Sequence, residues 1–121
     1  MVLHSGVVAS IASYDITAIA RLARSEKTRR TPSKRVAEEA YSCGADEEDI
    51  WDALQNLRSM TFVNSAPTKK GFAGTRSDAY IGYIPPCHMR MYIKFLVFEG
   101  QLVVTSFKED TSFEFGRSEW K

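Results

Sequence analysis

Twenty residues late in the chain, MRMYIKFLVFEGQLVVTSFK from Met89 to Lys108, constrain the fold more than any other stretch. Side chains along a β-strand point alternately to opposite faces. Met89, Met91, Ile93, Phe95 and Val97 therefore share one face, while Arg90, Tyr92 and Lys94, with His88 just before them, share the other. The break at FEGQ turns such a strand back on itself, and the apolar face then needs a second layer to cover it. Turn length decides which side chains meet, because a slip of one residue exchanges the two faces of a strand. A three-residue loop at Glu99 or Gly100 puts Ser106 and Lys108 on the face of Arg90, Tyr92 and Lys94, with Val103 and Phe107 on the core face. A two-residue loop places Lys108 beside Met91, where its ammonium loses water without a partner, so the sequence predicts the three-residue loop.

The covering layer lies upstream. Asp15 caps a helix whose Ile16, Ile19, Ala20 and Ala23 recur at helical spacing. TPSKRVAEEAYSCG reads as a second helix, with Thr31 as N-cap, Pro32 at the first helical position, Val36, Ala37, Ala40 and Tyr41 on one side, and Gly44 past its end. DEEDIWDALQNL follows at once, with Asp46 as cap, acids in the first turn and Ile50, Leu54 and Leu57 as its stripe. The second and third helices form a hairpin, and Trp51 beside that stripe reads as packing. Strand signals begin after Met60 with TFVNSA, continue through the loop PTKKGFAGTRSD to AYIGYI, and break at Pro85-Pro86. Helices first and strands second predict one α+β domain over residues 1–121, its antiparallel sheet carrying the N-terminal helices on one face. Residues 1–13 are an arm or a short peripheral strand, and 111–121 a C-terminal extension or last strand with Phe113, Phe115 and Trp120 to pack.

A chain of 121 residues that is 44% apolar suits one core and gives no sign of a disulfide scaffold or of disorder. No apolar run reaches membrane-spanning length and no signal peptide opens the chain, so the sequence reads as cytoplasmic. Cys43 and Cys87 lie in no metal-binding or CxxC pattern and are expected to be free thiols; no metal or other cofactor is implied. Gly71 and Gly74 lack the spacing of a phosphate-binding loop.

The formal net charge of +1 hides blocks. Residues 21–35 hold seven bases and one acid, 38–52 seven acids and no base, and 58–94 six bases with Asp78 the only acid. Such blocks either neutralise one another across packed elements or leave a basic patch able to attract polyanions. The hairpin's polar face, with His88, Arg90, Tyr92, Lys94, Ser106 and Lys108, is interrupted by no acid. Bases to hold phosphates and a tyrosine to stack or hydrogen-bond are what an RNA strand needs from a sheet. The same lysines and arginine also suit an edge hairpin guarded against aggregation, a reading that accounts less well for Tyr92.

MYIKFLVFEGQLVVTSFKED resembles the C-terminal hairpin of the motility quorum-sensing regulator (MqsR) family of bacterial toxins, with its V-Y-[LV]-K strand and closing V-S-F-K-E motif. YDITAIARLA, the helical VAEEAYSCGADEEDIWDALQNL, an aromatic strand and a Pro-containing turn follow the same order of elements, so the resemblance runs from about Tyr14 to Asp110. It implies a RelE-like α+β fold and a metal-independent endoribonuclease acting on mRNA, held silent by a cognate antitoxin protein. By motif match Tyr92 is the active-site tyrosine and Lys108 the active-site lysine. Two stretches depart from the family pattern. Asn64 of FVNSAPT stands where F-Y-K-S-M has its lysine, and AYIGYIPP replaces a W-Q-D segment with Tyr80 roughly at the glutamine. Lys69, Lys70 or Arg76 in the following loop are candidates to restore the lost charge.

Metal-free RNA scission needs activation of the ribose 2′-OH, stabilisation of phosphoryl charge and protonation of the leaving 5′-oxygen. The expected division gives the phosphate to Lys108 and Arg90, orientation or protonation to Tyr92, and a minor part to His88, which follows a Pro-Pro-Cys turn. The expected RNA-binding set is Arg90, Lys94, His88, Tyr80, Lys69, Lys70 and Arg76. Two other readings stand beside it: a catalytically degenerate toxin-like domain that binds RNA or a protein through the same face, and an interaction domain whose acidic hairpin from Glu38 to Asp52 docks a basic partner.

Overall fold

The computed structural model describes residues 8–68 and 71–111. Lys69, Lys70, and the extension beyond Thr111 with Phe113, Phe115 and Trp120 lie outside the described residues. Among the described residues three α-helices precede four strands: α1 (Ile16–Arg24), α2 (Lys34–Ser42), α3 (Glu47–Leu54), β1 (Thr61–Pro67), β2 (Arg76–Ile84), β3 (Met89–Phe98) and β4 (Gln101–Glu109). The strands form an antiparallel meander in the order β1-β2-β3-β4, so the expected α+β architecture is the one observed.

Local chemistry sets the helix starts. Asp15 accepts from the Ala18 amide (3.1 Å), and Asp46 and Asp49 close a reciprocal capping box at 3.0 and 2.9 Å. α2 begins two residues later than the sequence predicts. Its cap is Ser33, whose hydroxyl accepts from the Val36 amide (3.2 Å), and this leaves Thr31 and Pro32 outside the helix. Of its expected stripe only Val36 and Ala40 are buried, whereas Ala37 is exposed and Tyr41 is 80% exposed. Gly44 makes the α2–α3 turn at φ +99°, with Pro86 O only 2.9 Å from where a Cβ would stand. That position tolerates no side chain.

One core lies between the helices and one sheet face. Ile19, Val36, Ile50, Trp51 and Leu54 meet Met91, Ile93, Phe95, Leu102, Val104 and Phe107 there. α2 lies along β4, and α1 packs on α3. Arg29 stands over the Trp51 ring (5.2 Å) and pairs with Glu48 (3.3 Å), and Arg35 pairs with Glu39 (3.1 Å), so part of the basic block is neutralised by the acidic one.

Both sheet edges are partly closed. Ala9 pairs with Ser65 outside β1, and the segment Thr28–Arg30 runs beside β4, accepting from the Leu102 amide (2.8 Å) and donating to its carbonyl (2.9 Å). Asp78, fully buried on β2, accepts from the Ser13 and Tyr14 amides and ties the entry of α1 to the sheet.

The β3–β4 turn corrects the expected loop. Phe98 pairs with Gln101, so only Glu99 (φ +51°) and Gly100 (φ +79°) lie between the strands. Two successive residues with positive φ are the signature of a tight hairpin turn whose twist matches the strands. Lys108 nevertheless pairs with Tyr92, because the ladder shifts register between Lys94 and Phe95 and leaves Thr105 as an extra residue on β4. This bulge supplies the residue that the loop lacks. Its position fixes a second correction: Val103 pairs with Leu96 on the face away from the helices, whereas Val104 enters the core opposite Phe95.

Candidate RNA-binding face and active site

The sheet face opposite the helices is built as cross-strand rows. One row reads Thr61, Ile81, Tyr92, Lys108 from β1 to β4, and the next reads Asn64, Ala79, Lys94, Ser106. Tyr83 and Arg90 pair at the far end. Tyr92 and Lys108 are thus direct neighbours, and the Lys108 ammonium lies 5.7 Å from the centre of the Tyr92 ring. At that distance the ring's negative face attracts the cation and holds it over the sheet. Lys108 itself is exposed.

Tyr92 is half-buried, and burial raises its phenol above the ordinary value of 10.0 by penalising the phenolate. The hydroxyl is therefore protonated at neutral pH, suited to donate a proton or a hydrogen bond rather than to act as a base. Lys94 stands two residues along the same face, about 7 Å away at the rise of a strand. Ser106 faces it from β4.

The remaining sequence-predicted residues divide. Arg90 is on this face, but its guanidinium is 3.7 Å from Asp110. The face thus carries an acid at its end, contrary to the expectation of an uninterrupted basic surface; Asp110 was missed because it lies one residue past the closing motif. His88 is exposed in a left-handed turn (φ +54°) that closes the Pro85–Cys87 helical turn, its amide donating to Ile84 O and Pro85 O. It sits beside the start of β3 rather than in the ladder. Tyr80 is not on the face. It lies 5% exposed on the helix side, its ring stacked with Phe95 (5.9 Å), because even-numbered β2 residues point inward. Arg76 has the same parity, and its guanidinium donates to Ser65 O (2.9 Å). Lys69 and Lys70 lie outside the described residues.

Asn64 does reach the open face, in the row of Lys94, with Ala79 between them. Asn64 thus offers this face an amide where the resemblance implied a lysine, and Tyr80, roughly at the implied glutamine, is turned away from it. Among the described residues no group of three or more His, Cys, Asp or Glu converges to hold a metal.

Residues 11–109 match the family model described as motility quorum-sensing regulator, toxin of MqsA. The chain belongs to this MqsR toxin family. No curated protein matches it. Membership makes the chain a toxin of a toxin–antitoxin system and implies a partner antitoxin of the MqsA kind. No helix among the described residues is long and apolar enough to cross a membrane. The matched range covers all three helices and all four strands, so the MqsR pattern extends over the whole sheet and includes Tyr92 and Lys108.

Proposed function

We propose that this MqsR-family toxin is a metal-independent endoribonuclease that cleaves mRNA at the Tyr92–Lys108 pair. The observation that carries the reading is the cross-strand contact itself, a protonated phenol and an exposed ammonium side by side on an open face. In this reading the ribose 2′-oxygen attacks the adjacent phosphorus while the P–O5′ bond breaks. The 2′-OH proton passes to solvent, and the Tyr92 hydroxyl protonates the departing 5′-oxygen and is reprotonated from water. Lys108 stabilises the charge on the non-bridging phosphoryl oxygens. The products are a 2′,3′-cyclic phosphate and a 5′-hydroxyl. A positioned proton donor contributes about 10²–10⁴-fold, and a fixed charge at the developing oxyanion about 10²–10³-fold. Lys94 holds a neighbouring phosphate on one side of the pair, and Arg90 and His88 line the path on the other side.

The test is incubation of the purified toxin with a long unstructured RNA in EDTA, followed by end-group analysis. Discrete fragments ending in cyclic phosphate are expected; intact RNA, both free and on ribosomes, overturns the reading. Asn64 in place of the family's lysine, with Tyr80, roughly at its glutamine, turned into the core, favours a second reading, a toxin-like domain that binds RNA without cutting it. Tight binding of that RNA with no fragments identifies it.

A further inference from the structure

The open face does not end at Lys94. Beyond it lies a cleft of about 560 Å³. The segment leading into α2, with Arg30 and Thr31, and the first turn of α2, with Arg35, form one wall; the β1–β2 loop forms the other with Phe72 and Thr68; Lys94 and Thr105 lie along the floor. A cleft of this size falls in the range that holds a ligand the size of a nucleotide. Among the described residues three cations line it and no acid does.

Their charges are not equivalent. Arg35 is offset by Glu39 at 3.1 Å. Arg30 has no acidic partner among the described residues. Its guanidinium is held by the neutral Gln101 side chain (3.3 Å) and lies over the rings of Phe72 (5.5 Å) and Phe98 (6.0 Å). Phe72 leans edge-on against Phe98 (5.1 Å) and adopts φ +26°, a backbone conformation that bulky side chains rarely take. The strained loop thus presents an aromatic ring, and the segment before α2 a guanidinium with no acidic partner among the described residues, to a cleft whose described lining holds no acid. Lys94 belongs to both the cleft and the Tyr92 face.

We infer that this cleft is a subsite for a nucleotide flanking the scissile phosphate, with Arg30 and Lys94 holding its phosphate and Phe72 with Arg30 providing a surface for its base. The inference rests on the ribonuclease reading for the word "scissile", but binding at the cleft needs no cleavage. Base–aromatic stacking tolerates any base and phosphate contacts carry no sequence, so the subsite adds affinity and length dependence rather than sequence choice.

The test uses fluorescence anisotropy of labelled 2′-O-methyl-uridylate oligomers, which lack the attacking hydroxyl, with the wild-type toxin, Arg30→Gln and Phe72→Ala. The hexanucleotide is expected to bind each variant about 10-fold more weakly, within the range measured for loss of one stacked base, while the dinucleotide binds all three alike. Arg30→Gln also lowers the slope of log affinity against log salt by about one phosphate contact. Unchanged hexanucleotide affinity and salt slope overturn the subsite. So does an equal loss for both lengths, or no binding of the hexanucleotide to wild type. Because these oligomers cannot be cut, a toxin that fails to cleave RNA yet shows the expected pattern refutes the nuclease and not the cleft.

Discussion

Deleting Thr105 removes the bulge but keeps Lys108 beside Tyr92. The two-residue turn then runs into a regular ladder in which Val104 still faces Phe95, Ser106 faces Lys94 and Lys108 faces Tyr92, so Phe107 stays in the core. The deletion loses the Arg35 hydrogen bond to Thr105 O (2.8 Å) and the Thr105 hydroxyl's bond to Lys94 O (3.3 Å), about 1 kcal/mol each. Deleting Ser106 as well leaves no spare residue. Phe107 then arrives opposite Lys94 on the open face, and Lys108 arrives opposite Ile93 in the core. Phe107 is fully buried, and emptying such a site costs about 3–5 kcal/mol by analogy with Phe→Ala substitutions. Against a typical total of about 5–15 kcal/mol, the double deletion leaves little or no folded protein. Urea unfolding of wild type and both deletions measures the difference. A loss of about 1–2 kcal/mol is expected for the single deletion, the worth of the bulge contacts alone. A single deletion as damaging as the double one, or a double deletion as stable as wild type, refutes the role given to the bulge.

Tyr92→Phe keeps the ring under Lys108 but removes the proton donor; the cleavage rate falls about 10²-fold or more with a nearly unchanged urea midpoint, and an unchanged rate removes Tyr92 from the chemistry. Because burial raises the Tyr92 phenol, the wild-type rate does not fall through loss of this proton until pH passes 10, which a pH–rate profile checks against Tyr92→Phe. Asp78→Asn puts an amide N–H₂ where two backbone amides donate, and costs about 1–3 kcal/mol in a urea titration; no change means the carboxylate is not what anchors residues 13 and 14. Burial pushes the Cys87 thiol from 9.0 up to about 11. A raised folded value means stability complete below pH 9 and lost as pH climbs to about 11, so Cys87→Ala flattens the stability curve in that window, and an identical slope contradicts the assignment.

The helices were largely legible because their signals are local. Asp15 and Asp46 cap where the spacing places them, and a carboxylate three residues before a free amide needs no tertiary context. α2 was misjudged because Thr31 and Ser33 offer the same chemistry two residues apart, and only the Ser33–Val36 bond decides between them. The pairing of Tyr92 with Lys108 was legible for an incomplete reason. Burying Lys108 was correctly seen as prohibitive, but two structures satisfy that condition, a longer turn or a bulge, and no residue in VVTSF marks a bulge. Tyr80 and Tyr83 show why the face of β2 was not legible. AYIGYI is apolar on both sides, so alternation carries no polarity there, and the two tyrosines differ only in parity: one is 5% exposed and the other 59%. The cleft was beyond sequence because its walls come from two loops distant in the chain. Nothing in RRTPSKR or KGFAG indicates that Arg30 will lie over Phe72.

Metal-free RNA scission by Lys108 beside Tyr92 is the chemistry proposed for this toxin. It is tested most directly by single-turnover cleavage of one RNA in EDTA by wild type and Lys108→Ala, with affinity measured in parallel on the 2′-deoxy form of that RNA. For Lys108→Ala a rate lower by about 10²–10³-fold and an affinity lower by no more than about 10-fold are expected, since Lys108 acts on charge that develops only in the transition state. Equal rates, or a loss of rate no larger than the loss of affinity, contradict it.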